Sequence, residues 1–210
     1  MAAPGPLSLD HAACDQATLD FYADEARVYA ASGPRGASRP LAAFLQGLAP
    51  GARILELGCG AGRDSEAMLA RGFQLDATDG VPEIAREAEG RIGRPVRVMR
   101  FDELDAMDEY DGVWAHASLL HVPRAALPGV LSLVFRALKP GGIHFASFKG
   151  GGREGRDGLG RYFNYLSADE VRAAYRRSAA WDIEAITEEL GRGYEGGQGP
   201  WVAITARKPI

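Results

Sequence analysis

The run Ile54-Leu55-Glu56-Leu57-Gly58-Cys59-Gly60-Ala61-Gly62-Arg63-Asp64 places a short apolar strand before a turn with three alternate glycines, and a helix start after it. Glycines at such a turn let the backbone bend tightly and let a bound molecule approach with no Cβ in the way. Asp79 closes the next apolar run, twenty-one residues after Gly58, where a carboxylate can accept hydrogen bonds from ribose hydroxyls. Together these features point to a nucleoside-bearing ligand. The plainer alternative is a glycine-rich turn, with Asp79 capping a helix that starts at Pro82. Dinucleotide folds space their glycines G-x-G-x-x-G so that a diphosphate rests on a helix N-terminus; here the third glycine comes one residue early, and Asp64 stands where a phosphate would be repelled. A ligand without phosphates fits better, and Glu56 at the strand end suits a cationic amino group. His116 and His121 follow another apolar run, and because an unperturbed imidazole titrates near neutral pH they are candidate bases. His121 could equally anchor the turn before Pro123.

These residues need a frame. The apolar runs 53–57, 73–78, 96–99, 111–115 and 142–148 read as strands, and the stretches 63–71, 82–91 and 128–138 between them as helices, with a short turn near Glu103. Leu127, Val130, Leu131, Val134, Phe135 and Leu138 form one apolar stripe, and Pro128 fits a first helical turn. Strict alternation of strand and helix implies an α/β fold, with a doubly wound, mostly parallel sheet covered by helices on both faces. Residues 12–29 and 41–48 read as N-terminal cap helices, separated by the breaker Ser32-Gly33-Pro34-Arg35-Gly36.

The last third differs in character. Residues 150–166 are rich in glycine and charge and are expected to be too polar for the core. Ser167-Ala168-Asp169-Glu170 is a good N-cap with acids in the first turn of a helix reaching about Arg177. Residues 181–188 and 200–207 alternate like strands across the glycine-rich 191–199, which predicts an antiparallel hairpin at the sheet edge and brings the sheet to seven strands. No internal repeat or second apolar core marks a boundary, so residues 1–210 are expected to be a single domain.

Of 210 residues, 46% are apolar and 25% charged, an ordinary globular balance, and the net charge of −4 argues against broad electrostatic binding of nucleic acid. Cys14 and Cys59 cannot build a disulfide framework, and with His11, His116, His121 and His144 they show no metal-ligand spacing; no metal is expected. The chain has no run long enough to span a membrane and no signal-peptide pattern, so a cytoplasmic, reduced setting is expected.

The sequence resembles the class I S-adenosylmethionine-dependent methyltransferases. Glu56-Leu57-Gly58-Cys59-Gly60-Ala61-Gly62 looks like that family's first motif, and Asp79-Gly80-Val81-Pro82-Glu83 like its acidic second-strand motif. Phe101-Asp102-Glu103-Leu104, residues 110–122 and Leu138-Lys139-Pro140-Gly141-Gly142 continue the likeness in order over about 53–148. The resemblance implies a Rossmann-like fold with a helical cap at 1–50, a cofactor-binding core at 51–150, and a lid segment, helix and hairpin at 151–210. It implies S-adenosyl-L-methionine as cofactor and S-adenosyl-L-homocysteine as product. Glu56, Gly58, Cys59, Gly60, Gly62 and Arg63 would hold the methionine part, Asp79 and Gly80 the ribose, and Asp102 with Glu103 the adenine edge. His116 would face the amino acid end or the methyl group, and Tyr22 would lie on a helix folded over the cofactor. The segment after the fifth strand also resembles a subgroup of small methyltransferases that includes tellurite-resistance-type proteins, a likeness that names no substrate. Acceptor contacts are expected there, from Arg156, Arg161, Tyr162 and Phe163, where arginines could clamp an anion and the whole loop could close as a lid. A small-molecule acceptor is the leading expectation. An RNA acceptor stays open, with Arg91, Arg94, Arg97 and Arg100 as its first support, as do a non-catalytic cofactor-binding module and an NAD(P)-dependent oxidoreductase.

Overall fold

The computed structural model describes residues 13–32, 36–194 and 196–210. His11, the expected helix start at Ala12 and the Gly33-Pro34-Arg35 part of the breaker lie outside the described residues. Three short helices, α1 (Gln16–Asp24), α2 (Ala26–Ala31) and α3 (Leu41–Gln46), come first. The chain then alternates through β1 (Arg53–Leu57), α4 (Arg63–Ala70), β2 (Gln74–Asp79), α5 (Pro82–Ile92), β3 (Arg97–Val98), β4 (Tyr110–Ala115), α6 (Leu127–Ala137) and β5 (Leu138–Lys149). It finishes with a two-strand ribbon, β6 (Gly155–Arg156) and β7 (Tyr162–Phe163), then α7 (Ala168–Ser178), β8 (Asp182–Arg192) and β9 (Gln198–Arg207).

One seven-stranded sheet runs in the order β3-β2-β1-β4-β5-β9-β8. The first five strands are parallel, and β9 and β8 add antiparallel at the edge as the expected hairpin. Period-two alternation builds two cores from the same strands. Leu55, Leu57, Val113, Ala115, Ala146 and Phe148 pack with α6 and α7, whereas Ile54, Trp114, Ile143 and Phe145 pack with α3 and α4. The apolar stripe Val130, Leu131, Val134 of α6 is buried, as its spacing predicts. Ser167 and Glu170 cap α7 reciprocally.

Two expectations need correction. Residues 12–29 are not one helix: the chain breaks at Glu25, and the bend lets Ala26 of α2 lie against Val81 and Ile84. Nor is the segment 150–166 excluded from the core, since Arg161, Phe163, Asn164 and Leu166 are buried. Most of their polar atoms are paired internally, Asn164 Oδ1 being without a hydrogen-bond partner among the described residues. Arg161 pairs with Asp157 at 2.6 Å, and the Asn164 amide donates to the carbonyls of Leu119 and Val122.

Candidate functional site

β1 neighbours both β2 and β4, so the chain leaves the sheet in opposite directions after β1 and after β4. A crevice must open at that switch point, outside the carboxyl ends of the strands. The structure has a pocket there, open to solvent at its mouth. Gly58, Gly60, Asp79 and Gly80 form its floor, Met99, Arg100 and Phe101 one flank, and Ala117, Ser118 and His121 the other. Leu19, Tyr22 and Tyr29 of α1 and α2 roof it, with Cys14, Asp15 and Thr18 at the start of α1.

The floor is built by two backbone bends and one carboxylate. Gly58 and Gly60 have φ of +74° and +54°, a region that disfavours side chains. A Cβ on Gly58 would stand 2.6 Å from that of Ser118, so the turn and the end of β4 touch. Asp79 accepts the N–H groups of Gly60 and Val81, each at 3.0 Å. Burial nevertheless pushes its carboxyl up to about 6, because the backbone amides of Val81, Gly60 and Gly80 only partly replace lost water. Two further buried oxygens make no hydrogen bond among the described residues. Ser118 Oγ is buried in the pocket wall with no hydrogen bond, and Asp102 Oδ1, beside the flank, likewise has none, the Arg100 guanidinium 3.4 Å away lying outside bonding geometry. A ligand with hydroxyl and amino donors fits this set, as the ribose and adenine of S-adenosylmethionine would.

Of the other expected cofactor residues, none lines this pocket. Cys59 is buried against Ala85 and Ala88, where burial raises its thiol; Gly62 is the left-handed N-cap of α4, and Arg63 opens that helix. The Glu103 carboxylate accepts the N–H of Arg100. His116 sits at the end of β4 with Nδ1 2.8 Å from Ser147 Oγ, its ring near Trp114 and Phe145, and burial lowers its basicity. Asp64 accepts the Trp114 indole N–H and the Ser38 amide, so it ties the cap to the sheet.

Glu56 is buried beneath α4 and accepts the hydroxyl of Ser65. Burial raises its carboxyl to about 8, assisted by the charges of Asp64 and Asp79. Below pH 4.5 native and unfolded chains both hold this proton. Between about 4.5 and 8 only the native chain does, so stability falls as pH rises through that window. Glu56→Gln keeps an acceptor for Ser65 without the charge. It is expected to leave the melting temperature unchanged near pH 4.5 and to raise it by several degrees at pH 8.5, read by circular dichroism; an equal difference at both pH values would refute the buried-charge account.

The segment 150–166 and the start of α1 are joined by side-chain hydrogen bonds. Arg156 forms two hydrogen bonds to Asp15, at 2.8 and 2.7 Å, and holds that carboxyl near 2. The Tyr162 amide donates to Thr18 Oγ1, and Arg161 Nη1 donates to Tyr22 Oη at 3.0 Å. Arg161 is 1% exposed, ringed by Phe21, Tyr22, Phe163 and Tyr194. Phe163 is buried against the His121 ring, and the Tyr162 hydroxyl donates to Glu154. Thus Tyr22, Gly58, Gly60, Asp79, Gly80 and His121 come together in one cavity, while Arg156, Arg161, Tyr162 and Phe163 hold its roof. Sequence reasoning passed over Asp15, Thr18, Tyr29 and Ser118. Tyr29 lies on α2, beyond the break at Glu25, whereas Asp15 with Thr18 has the form of an N-cap.

A parallel sheet that opens beyond β1 and β4, with a glycine turn and a buried second-strand acid facing the opening, defines the Rossmann-like class that holds a nucleoside-bearing donor at the switch point. Residues 54–142 match the methyltransferase-domain family. A ubiquinone biosynthesis O-methyltransferase of Xanthomonas campestris pv. campestris is 36% identical over 105 residues, 47% of this chain and 43% of that protein. The chain therefore spans under half the length of the curated relative it matches. Among solved structures, an S-adenosylmethionine-dependent methyltransferase of Methanosarcina mazei superposes with TM-score 0.73 at 18% identity, over 83% of this chain and 99% of that one. A 1,6-didemethyltoxoflavin-N1-methyltransferase of Burkholderia thailandensis superposes with TM-score 0.70 at 24% identity, over 98% and 94%. The family match covers residues 54–142, under half of the chain, and the likeness to the two solved structures is one of fold.

Proposed function

We propose that the chain is an S-adenosylmethionine-dependent methyltransferase that methylates a small molecule. The observation that carries this reading is the convergence of Gly58, Gly60 and Asp79 on one cavity roofed by α1 and α2. When bound, the cofactor supplies a methyl group on a positively charged sulfur, already activated for displacement. The protein's task is then alignment and exclusion of water. Asp79 would accept the ribose hydroxyls, the turn at Gly58 and Gly60 would let the methionine end approach the backbone, and Phe101 with Asp102 would border the adenine. Tyr22 and Tyr29 close the roof, and the Asp15–Arg156 and Tyr22–Arg161 contacts hold it shut.

A small acceptor is favoured over RNA by the charges around the pocket. Arg91, Arg97 and Arg100 pair with Glu66, Asp105, Asp102 and Glu103, so three of the four candidate phosphate-binding arginines are already engaged by acids. The relative named for ubiquinone biosynthesis points the same way. Against the oxidoreductase reading, the start of α4 already has the carboxylate of Asp64 beside it, which would repel a diphosphate. Titration calorimetry with S-adenosylmethionine, S-adenosylhomocysteine, NAD and NADP tests the reading. Micromolar binding of the two sulfur nucleosides alone is expected, and binding of NAD alone would overturn it.

A further inference from the structure

His121 lies in the short turn Leu119–His121 after β4, in the pocket wall. Its Nδ1 is 2.6 Å from the backbone carbonyl of Tyr162, and since a carbonyl can only accept, Nδ1 carries the proton. Nε2 is therefore a lone-pair acceptor. It lies 3.1 Å from Tyr22 Oη, so the tyrosine hydroxyl donates to it. Tyr22 Oη in turn accepts from Arg161 Nη1 at 3.0 Å, and Arg161 is fixed by Asp157 through Nε and Nη2. All hydrogens on this chain thus point one way, from Arg161 to Tyr22 to His121 to the lid backbone. Tyr22 Oη keeps a second lone pair, and both Tyr22 and His121 line the cavity.

We infer that Tyr22 and His121 form a proton relay that removes the proton of the methyl acceptor, with Arg161 as the residue that positions the Tyr22 hydroxyl. The inference rests on the methyltransferase reading above and goes beyond it by defining the acceptor: its nucleophilic atom carries a proton, as in an O–H or a ring N–H. In the step, the acceptor's lone pair forms the bond to the methyl carbon and the carbon–sulfur pair returns to sulfur. The acceptor proton passes to Tyr22 Oη, the Tyr22 hydroxyl proton passes to His121 Nε2, and the resulting imidazolium later releases it to solvent. Charge is conserved, because the positive charge lost at sulfur appears on His121.

Burial and the charges around His121 keep its imidazole neutral at rest. Tyr22 faces it from α1, Arg161 and Asp157 from the lid ribbon, and Lys149 from the end of β5. Burial first, then the cations Arg161 and Lys149, lower its basicity to about 4, while the Tyr162 carbonyl and Asp157 oppose them. The imidazole is thus neutral while a sulfonium shares the cavity, and protonation becomes easier once that charge has gone.

The test is imidazole NMR on the full chain labelled in histidine, with His121 assigned from His121→Asn. In the unliganded protein the Nδ1–H tautomer is expected, and Tyr22→Phe is expected to move the Nε2 resonance toward that of an unbonded nitrogen. The decisive comparison needs no variant. The pKa of His121 is expected to be about one to two units higher in the S-adenosylhomocysteine complex than in the S-adenosylmethionine complex, since only the latter places a positive charge in the cavity. His144, buried between Tyr175 and Trp181 outside the pocket, is the internal control and should not move. Equal His121 pKa values in two complexes that calorimetry shows to be formed, or an Nε2–H tautomer, would overturn the relay and leave the methyltransferase reading standing. If neither nucleoside binds, the cofactor reading fails and the relay falls with it.

Discussion

Gly60→Val is expected to abolish binding of S-adenosylmethionine and S-adenosylhomocysteine while the sheet stays folded. Gly60 has φ of +54°, a conformation a β-branched residue adopts only with strain of about 1–3 kcal/mol. Its Cβ would meet Tyr29 Oη at 3.0 Å and Cε1 of that ring at 3.4 Å, so two further methyl groups must displace the roof or enter the cavity. Rotation of the turn to relieve this would also withdraw the Gly60 amide from Asp79. At least a hundredfold loss of affinity follows, equivalent to about 2.7 kcal/mol. Calorimetry checks the affinity and far-ultraviolet circular dichroism checks the fold. Gly60→Ala, which adds one methyl at the edge of contact, should lose less. Normal binding by a folded Gly60→Val protein would show that the turn does not hold the ligand.

Much of this arrangement was legible in the residues. Arg53–Leu57 is the strand that the apolar run implies, α5 begins at the proline that suits a first turn, and Ser167 caps α7 as its spacing suggests. The edges of other strands moved by a few residues: β5 extends back to Leu138, because Tyr110 can pair with it before the register shifts at Gly112. The lid was harder to read because glycine and charge are local signals of solvent, whereas burial is decided by pairing. Arg161 enters the core only because Asp157, four residues earlier, and Tyr22, from α1, both meet it. Within the site, Asp79, Gly58 and Gly60 announce themselves because turn and acid are separated by one strand–helix unit. Tyr29 and Ser118 carry no such spacing. They become site residues through the bend at Glu25, which seats α2 on Val81 and Ile84, and through the contact between Gly58 and the end of β4. Long-range packing of this kind leaves no periodic trace.

Asp79 is expected to make cofactor affinity depend on pH. Its carboxyl is shifted up, from 3.8 to about 6, by burial that outweighs the amides of Val81 and Gly60. Between those values the native apoprotein holds a proton that the unfolded chain has released, so ionisation of Asp79 weakens the empty fold as pH rises toward 6 and adds no further cost above it. Ribose hydroxyls reverse the preference, because they donate to the carboxylate and favour its charged form. Affinity for S-adenosylhomocysteine should therefore be flat above pH 7 and fall below 6, reaching about tenfold weaker at pH 5. Asp79→Asn, which retains one acceptor and cannot ionise in this range, should lose that slope. Asp79→Ala should weaken binding by about 1–3 kcal/mol at pH 7.5, since it removes the charge-assisted bonds to the ligand and frees the Gly60 and Val81 amides. Glu56 titrates higher, near 8, so Glu56→Gln should keep the Asp79 slope intact and separate the two carboxylates. Parallel pH profiles for the native protein and Asp79→Asn would mean that the ribose is held elsewhere, and that the buried carboxylate serves only to tie the glycine turn to the end of β2.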